Sequence, residues 1–173
     1  NADVAKNRAK LDGPGGLHFF QPHHHDELVR EQRMVEQLEL AIEHRELSLH
    51  YQPQVSVVSG RIENLEALLR WQPRDSSSFV PPGEFISLAE RSGLIHRLGD
   101  WVMEEVCRQQ AAWRRAGFST SRVDINLSGR QMLRPDTLAR FEACLERYGL
   151  TPQDIGIELT ENGLIEAAPL VVG

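Results

Sequence analysis

Apolar and polar residues alternate in four short segments of the chain, and this period of two predicts four β-strands. The predicted strands cover residues 47–58, 62–71, 123–127 and 155–159. A turn near Ser59-Gly60 separates the first two segments, so we expect these strands to pair antiparallel. The later strands are separated by long helical segments, which is typical of an α/β fold with a mostly parallel sheet.

Helical spacing of apolar residues predicts helices over residues 26–45, 83–98, 100–116 and 135–148. Asp26 is the expected N-cap of the first helix, and Pro81-Pro82 should begin the second. Gly117 and Gly149 are the expected ends of the third and fourth. The first helix should pack on the domain that follows it, through an apolar stripe of Leu28, Val35, Leu38 and Ile42.

Each predicted strand has one apolar face and one polar face, because successive side chains point to opposite sides. Glu66 and Arg70 share the polar face of the second strand, and Asn126 and Glu158 lie on those of the third and fourth. A parallel sheet covered by helices on both sides would be apolar on both. We therefore expect a barrel with its helices outside and a ligand site inside. A half-exposed antiparallel sheet with one wet face remains the alternative.

Composition and charge limit the kinds of partner that the chain is expected to bind. With 173 residues, 40% of them hydrophobic, the chain can bury a core. Its net charge of -6 argues against binding long nucleic acid. We interpret Cys107 and Cys144 as reduced packing residues. No apolar run is long enough for a membrane span and no signal peptide is recognisable, so we expect a cytoplasmic domain without direct membrane contact, whether or not the parent protein is anchored.

Three polar residues on the inner faces carry oxygen ligands: Glu66, Asn126 and Glu158. Such a set suits a hard cation, Mg²⁺, Mn²⁺ or Ca²⁺, better than zinc. Each residue also has an ordinary structural alternative. Glu66 would pair with Arg70, Asn126 would cap the turn before Gly129, and Glu158 would be solvated at a strand end.

Five motifs of the chain resemble, in order and spacing, those of the EAL domain, whose members hydrolyse the bacterial second messenger cyclic di-GMP. They are Tyr51-Gln52-Pro53, Glu66-Ala67-Leu68-Leu69-Arg70-Trp71, residues 79–86, Asn126-Leu127-Ser128 and Glu158-Leu159-Thr160-Glu161. The resemblance covers residues 47–173 and implies a (β/α)₈ TIM-like barrel of which only the first half is present. Residues 23–46 would form a linker and helix, and residues 1–22 resemble the C-terminal end of a GGDEF domain.

The resemblance also implies roles for individual residues. The implied ligands of a two-metal Mg²⁺ or Mn²⁺ site are Glu66, Asn126 and Glu158. The implied catalytic residues are Glu66 and Glu161. The implied contacts to cyclic di-GMP are Gln52, Leu68 and Arg70, with Arg70 on a phosphate. The expected product is linear pGpG.

The family's catalytic set continues with a paired Asp-Asp, a Lys, a further Glu and a Gln, which do not follow here; Asp-Asp occurs nowhere in the chain. The N-terminal Asn1 is not an initiator Met, so we expect a piece of a longer protein. We therefore predict hydrolysis by the intact protein and no activity of this chain alone. A non-catalytic receptor for cyclic di-GMP is the alternative. A homodimer through the EAL domain or the linker helix is left open, as is a role of that helix as an interaction element.

Overall fold

The computed structural model describes the backbone of residues 22–118 and 122–159. The helices are α1 Pro22–His44, α2 Pro82–Ser92, α3 Ile95–Arg115, α4 Gly129–Met132 and α5 Thr137–Tyr148. The strands are β1 Leu47–Val55, β2 Ile62–Trp71, β3 Arg122–Leu127 and β4 Ile155–Leu159. All four predicted strands are present, and the predicted bounds of β2 and β4 are confirmed. The first strand ends at Val55, earlier than expected.

The strands form one sheet in the order β1-β2-β3-β4. β1 pairs antiparallel with β2, from Leu47 opposite Trp71 to Val55 opposite Ile62. The pairs β2–β3 and β3–β4 are parallel. The predicted hairpin and the mostly parallel sheet are confirmed, and the alternative of a purely antiparallel sheet is wrong.

The apolar face of the sheet packs against the helices, as the alternation predicted. Val123 and Ile125 of β3 are buried in one core cluster with Val106 of α3. Trp71 at the end of β2 lies in a second cluster with Phe85 of α2, and their rings meet edge to face at 5.7 Å. The opposite face of the sheet is left for polar side chains.

The sheet curls toward its polar face. Gln54 of β1 and Glu158 of β4 stand on the two outer strands, yet Gln54 Nε2 lies 3.5 Å from Glu158 Oε1. Neighbouring strands are about 4.8 Å apart, so the outer strands of a flat sheet of this width stand roughly 14 Å apart. Side chains project away from a flat sheet rather than across it. The contact therefore requires a curved wall, as in part of a barrel.

Two predicted helix boundaries are wrong. α1 begins at Pro22, so Asp26 lies inside the helix rather than at its N-cap, and the backbone of His23–His25 is helical. The boundary between the next two helices falls at Gly93-Leu94 instead of near Gly99. Gly93 has φ 82°, a left-handed conformation that favours glycine and ends α2.

Helix α1 packs on the domain, which confirms the prediction that it docks rather than standing apart. Leu38 and Ala41 are 0% exposed in the cluster that contains Trp71. Arg91 donates a 2.8 Å hydrogen bond to Glu31, and Arg97 a 3.1 Å hydrogen bond to Glu43. Leu28, assigned to the apolar stripe, is instead 48% exposed.

Some sequence predictions lie outside the described residues. These are the GGDEF-like segment 1–22, apart from Pro22, and Glu161. Among the helices of the described residues, none combines the length and hydropathy needed to cross a bilayer.

The docking of α1 makes a testable stability prediction. Leu38→Ala removes a fully buried side chain and should lower the free energy of unfolding of the 173-residue chain by about 2–5 kcal/mol. Leu40→Ala is the matched control on the same helix, because Leu40 is 50% exposed; it should change stability by less than about 0.5 kcal/mol. Urea unfolding followed by circular dichroism measures both. Equal losses in the two variants would contradict the docking.

Candidate active site

The register of the four strands aligns polar residues on the curved inner face. Gln52 of β1 is the partner of Glu66 in β2, and Glu66 is the partner of Asp124 in β3. Asp124 is in turn the partner of Gly156 in β4. Asn126 and Glu158 lie two residues further along β3 and β4, and they are partners of each other. The predicted metal ligands therefore occupy neighbouring strands on one face.

Three of the predicted site residues lie one position before the end of a parallel strand. They are Arg70 in β2, Asn126 in β3 and Glu158 in β4. Parallel strands present their carboxyl ends at one edge of the sheet, and in barrels this edge carries the active site. The strands thus gather these side chains at one end of the curved wall.

The closest contact within the predicted site joins Asn126 to Glu66. Asn126 Nδ2 donates a hydrogen bond of 2.8 Å to Glu66 Oε1. A carboxamide that donates through its nitrogen keeps its carbonyl oxygen Oδ1 as an acceptor. Among the described residues no ion pair joins Glu66 to Arg70, so the structural alternative for Glu66 is wrong.

Glu158, the third predicted metal ligand, has a hydrogen-bond partner that the sequence did not predict. Its Oε1 accepts the 3.5 Å hydrogen bond from Gln54 Nε2 that crosses the sheet. Gln54 lies two residues after Gln52, so strand parity already placed it on the inner face. The contact places the amide of Gln54 beside this half-buried carboxylate.

Arg70, Leu68 and Asn126 line part of a cavity of about 290 Å³. Most of its wall comes from the apolar face of the sheet and from α2 and α3, including Leu69 and Ile86, so the cavity lies mainly between sheet and helices and not on the polar face. Arg70 is half-buried and its Nη1 donates a 2.9 Å hydrogen bond to the carbonyl oxygen of Leu69. Gln52, the third predicted substrate contact, is exposed on β1 beside Glu66.

Asp124 is a buried carboxylate on the inner face that the sequence did not single out. It is 1% exposed, and Arg122 Nε lies 2.6 Å from its Oδ1. A Cβ at Gly156 would stand 1.8 Å from the same oxygen, so only glycine leaves room for this carboxylate. The pair neutralises a charge that would otherwise be costly to bury.

The donor set fits part of a divalent-metal site. Two carboxylates and one amide oxygen are ligands that Mg²⁺ and Mn²⁺ prefer. Within residues 22–118 and 122–159, no group of three or more His, Cys, Asp or Glu side chains is arranged to hold a metal ion. Asn126 contacts Glu66 through its side chain and is the register partner of Glu158.

Comparison with known protein families identifies the family of this chain. The EAL domain family matches residues 35–169, so the chain belongs to the EAL domain family. The predicted resemblance is confirmed, and the fold is part of a TIM-type barrel as expected. The GGDEF-like segment and the domain boundaries remain predictions.

Two curated relatives match nearly the whole chain. It is 35% identical over 162 residues to the bifunctional diguanylate cyclase/cyclic di-GMP phosphodiesterase MucR of Pseudomonas aeruginosa, covering 94% of this chain and 24% of that protein. It is 37% identical over 166 residues to the cyclic di-GMP phosphodiesterase PdeR of Escherichia coli, covering 96% and 25%. The chain thus spans about a quarter of the length of these relatives.

A solved structure is also similar. The PaMucR phosphodiesterase in complex with c-di-GMP superimposes with a TM-score of 0.73 at 35% identity. The match covers 80% of this chain and 56% of that one.

The contact between Asn126 and Glu66 makes a pH prediction. Asn126→Asp would place a second carboxylate at hydrogen-bond distance from Glu66, and the two charges repel. This repulsion is absent while either carboxyl is protonated, so it does not affect the fold at low pH and destabilises it once both groups are ionised.

We expect Asn126→Asp to be less stable than Asn126→Ala by about 1 kcal/mol at pH 7, a small value because the site is partly open to water. The difference should vanish near pH 4. Urea unfolding of both variants between pH 4 and 8 measures it. A difference independent of pH would mean that residues 66 and 126 do not face each other.

Proposed function

We propose that this chain forms the amino-terminal half of the catalytic domain of a divalent-metal-dependent phosphodiesterase, which in the intact protein hydrolyses cyclic di-GMP to linear pGpG. The observation that carries the proposal is the 2.8 Å contact of Asn126 with Glu66, with Glu158 on the adjacent strand. The names of the relatives MucR and PdeR and the c-di-GMP complex of PaMucR support the choice of substrate.

In this proposal Glu66, Asn126 and Glu158 hold Mg²⁺ or Mn²⁺ at the carboxyl ends of the strands. A metal ion bound there would polarise the phosphodiester and lower the pKa of an attacking water. The two glutamates supply negative charge, and Asn126 supplies a neutral oxygen between them. Gln54 restrains Glu158 so that its carboxylate stays directed into the site.

In this proposal, residues at the edge of the site bind the substrate. Arg70 has one guanidinium nitrogen bonded to the carbonyl oxygen of Leu69, which leaves its remaining donors for a phosphate of the dinucleotide. Leu68, on the same face of β2 as Glu66 and Arg70, offers an apolar surface to a guanine base. Gln52, exposed beside Glu66, can donate to or accept from a base edge.

A receptor that binds cyclic di-GMP without hydrolysing it is the second candidate. It is favoured by one observation: the described residues bring no third titratable ligand to Glu66 and Glu158. Glu161, assigned a catalytic role through the resemblance, lies outside the described residues. We infer that the 173-residue chain by itself does not turn over substrate, because the paired Asp-Asp of the family's catalytic set does not occur in it.

The test is hydrolysis of cyclic di-GMP by the intact protein with Mg²⁺ or Mn²⁺, with pGpG quantified by chromatography. Glu66→Gln keeps the size of the side chain but removes the charge that holds the cation, so turnover should fall at least about 100-fold. Glu63→Gln is the matched control: it is the same substitution on the same strand, but Glu63 is exposed and has the opposite parity.

Each outcome decides between the candidates. Loss of turnover in Glu66→Gln with retention in Glu63→Gln supports the phosphodiesterase. Tight binding of cyclic di-GMP with no turnover by the wild type supports the receptor. Equal turnover in wild type and Glu66→Gln would overturn the metal assignment of Glu66.

A further inference from the structure

Helix α3 contains a glycine where its helical conformation does not require one. Gly99 lies inside the helix, a place where glycine is less favourable than alanine by about 0.5–1 kcal/mol. A Cβ at this position would stand 1.9 Å from Nε2 of Gln131. The space that a side chain at Gly99 would fill is therefore occupied by Gln131.

Gln131 uses both ends of its amide inside this space. The residue is 7% exposed, and its Nε2 donates a 3.0 Å hydrogen bond to the carbonyl oxygen of Ile95 in α3. Its Oε1 accepts a 2.8 Å hydrogen bond from the backbone N–H of Ser128. The side chain thus joins the first turn of α3 to the residue that directly follows β3.

The short helix α4 also forms a second hydrogen bond to a neighbouring helix. Arg130 Nη1 donates a 2.8 Å hydrogen bond to the carbonyl oxygen of Glu90 near the end of α2. Residues 130 and 131 therefore bind backbone carbonyls on either side of the break between α2 and α3. The backbone after β3 is held at two points, only a few residues from Asn126.

We propose that Gln131 is a positioning residue for Asn126. By joining Ser128 to Ile95 in the space left by Gly99, it fixes the end of β3 and keeps the Asn126 amide directed at Glu66. The consequence for metal binding rests on the proposed function, whereas the consequence for the direction of Asn126 does not. Gln131 itself stands behind the strand and touches neither metal nor substrate in this proposal.

The experiment perturbs the contact from both sides. Gln131→Ala removes the bridging amide, and Gly99→Ala introduces a methyl group that displaces it. Gly83→Ala in α2 is the matched control, because a Cβ there meets nothing within 4 Å. The readouts are the side-chain amide resonances of Asn126 in ¹⁵N-labelled protein without metal, and the affinity for Mn²⁺ alone by electron paramagnetic resonance.

Both perturbing variants should shift the Asn126 amide resonances and weaken Mn²⁺ binding about 10-fold, whereas Gly83→Ala should do neither. Gly99→Ala added to Gln131→Ala should have no further effect, since the group it displaces is already absent. Gln131→Glu, which keeps the acceptor for Ser128 N–H but loses the donor to Ile95, gives the same test if Gln131→Ala does not fold.

Unchanged Asn126 resonances in Gly99→Ala and in the folded Gln131 variant would overturn the proposal, as would full additivity of the two effects. Absence of Mn²⁺ binding by the wild type would count against the metal site alone. In that case the Asn126 resonances still decide the positioning role, so the two failures are distinguishable.

Discussion

Parallel pairing of β2 with β3, from Asn64 opposite Arg122 to Ala67 opposite Ile125, is the constraint on which the site depends. This register puts Glu66 beside Asp124 and within reach of Asn126, whose amide donates to it at 2.8 Å. A slip of one residue would turn every side chain of a strand to the other face. The apolar residues of β2 and β3 would then face the polar interior, so burial of the core and assembly of the site specify the same register.

The polar face needs its own compensation, because carboxylates that crowd on a curved surface repel one another. Asn126 stands between the two glutamates as a neutral donor to Glu66. Asp124, the most buried carboxylate of the face, is paired with Arg122 and accommodated by the missing side chain of Gly156. In the proposed function, a bound cation would offset the charge of Glu66 and Glu158.

Part of this site was predictable from sequence, and part was not. Period-two alternation placed Glu66, Asn126 and Glu158 on one face, since parity depends only on local backbone geometry. The Ser128-x-x-Gln131 spacing of a capping box is visible in the sequence, but the partner of Gln131 in another helix, Ile95, is not. The helix break was also misplaced: Gly93 and Gly99 are equally good local signals for an ending. Only the packing of Gln131 against Gly99 explains why the second glycine lies inside a helix.

The sequence by itself determined the strands, their two faces, the hairpin and the family, because these follow from patterns between near neighbours in the chain and from motifs in order. Tertiary structure alone decided which side chains meet. The curl that brings Gln54 to Glu158, the docking of Leu38 and Ala41, and the space that Gly99 leaves for Gln131 all join residues far apart in sequence. Such contacts depend on how sheet and helices pack in three dimensions, and no local pattern encodes that geometry.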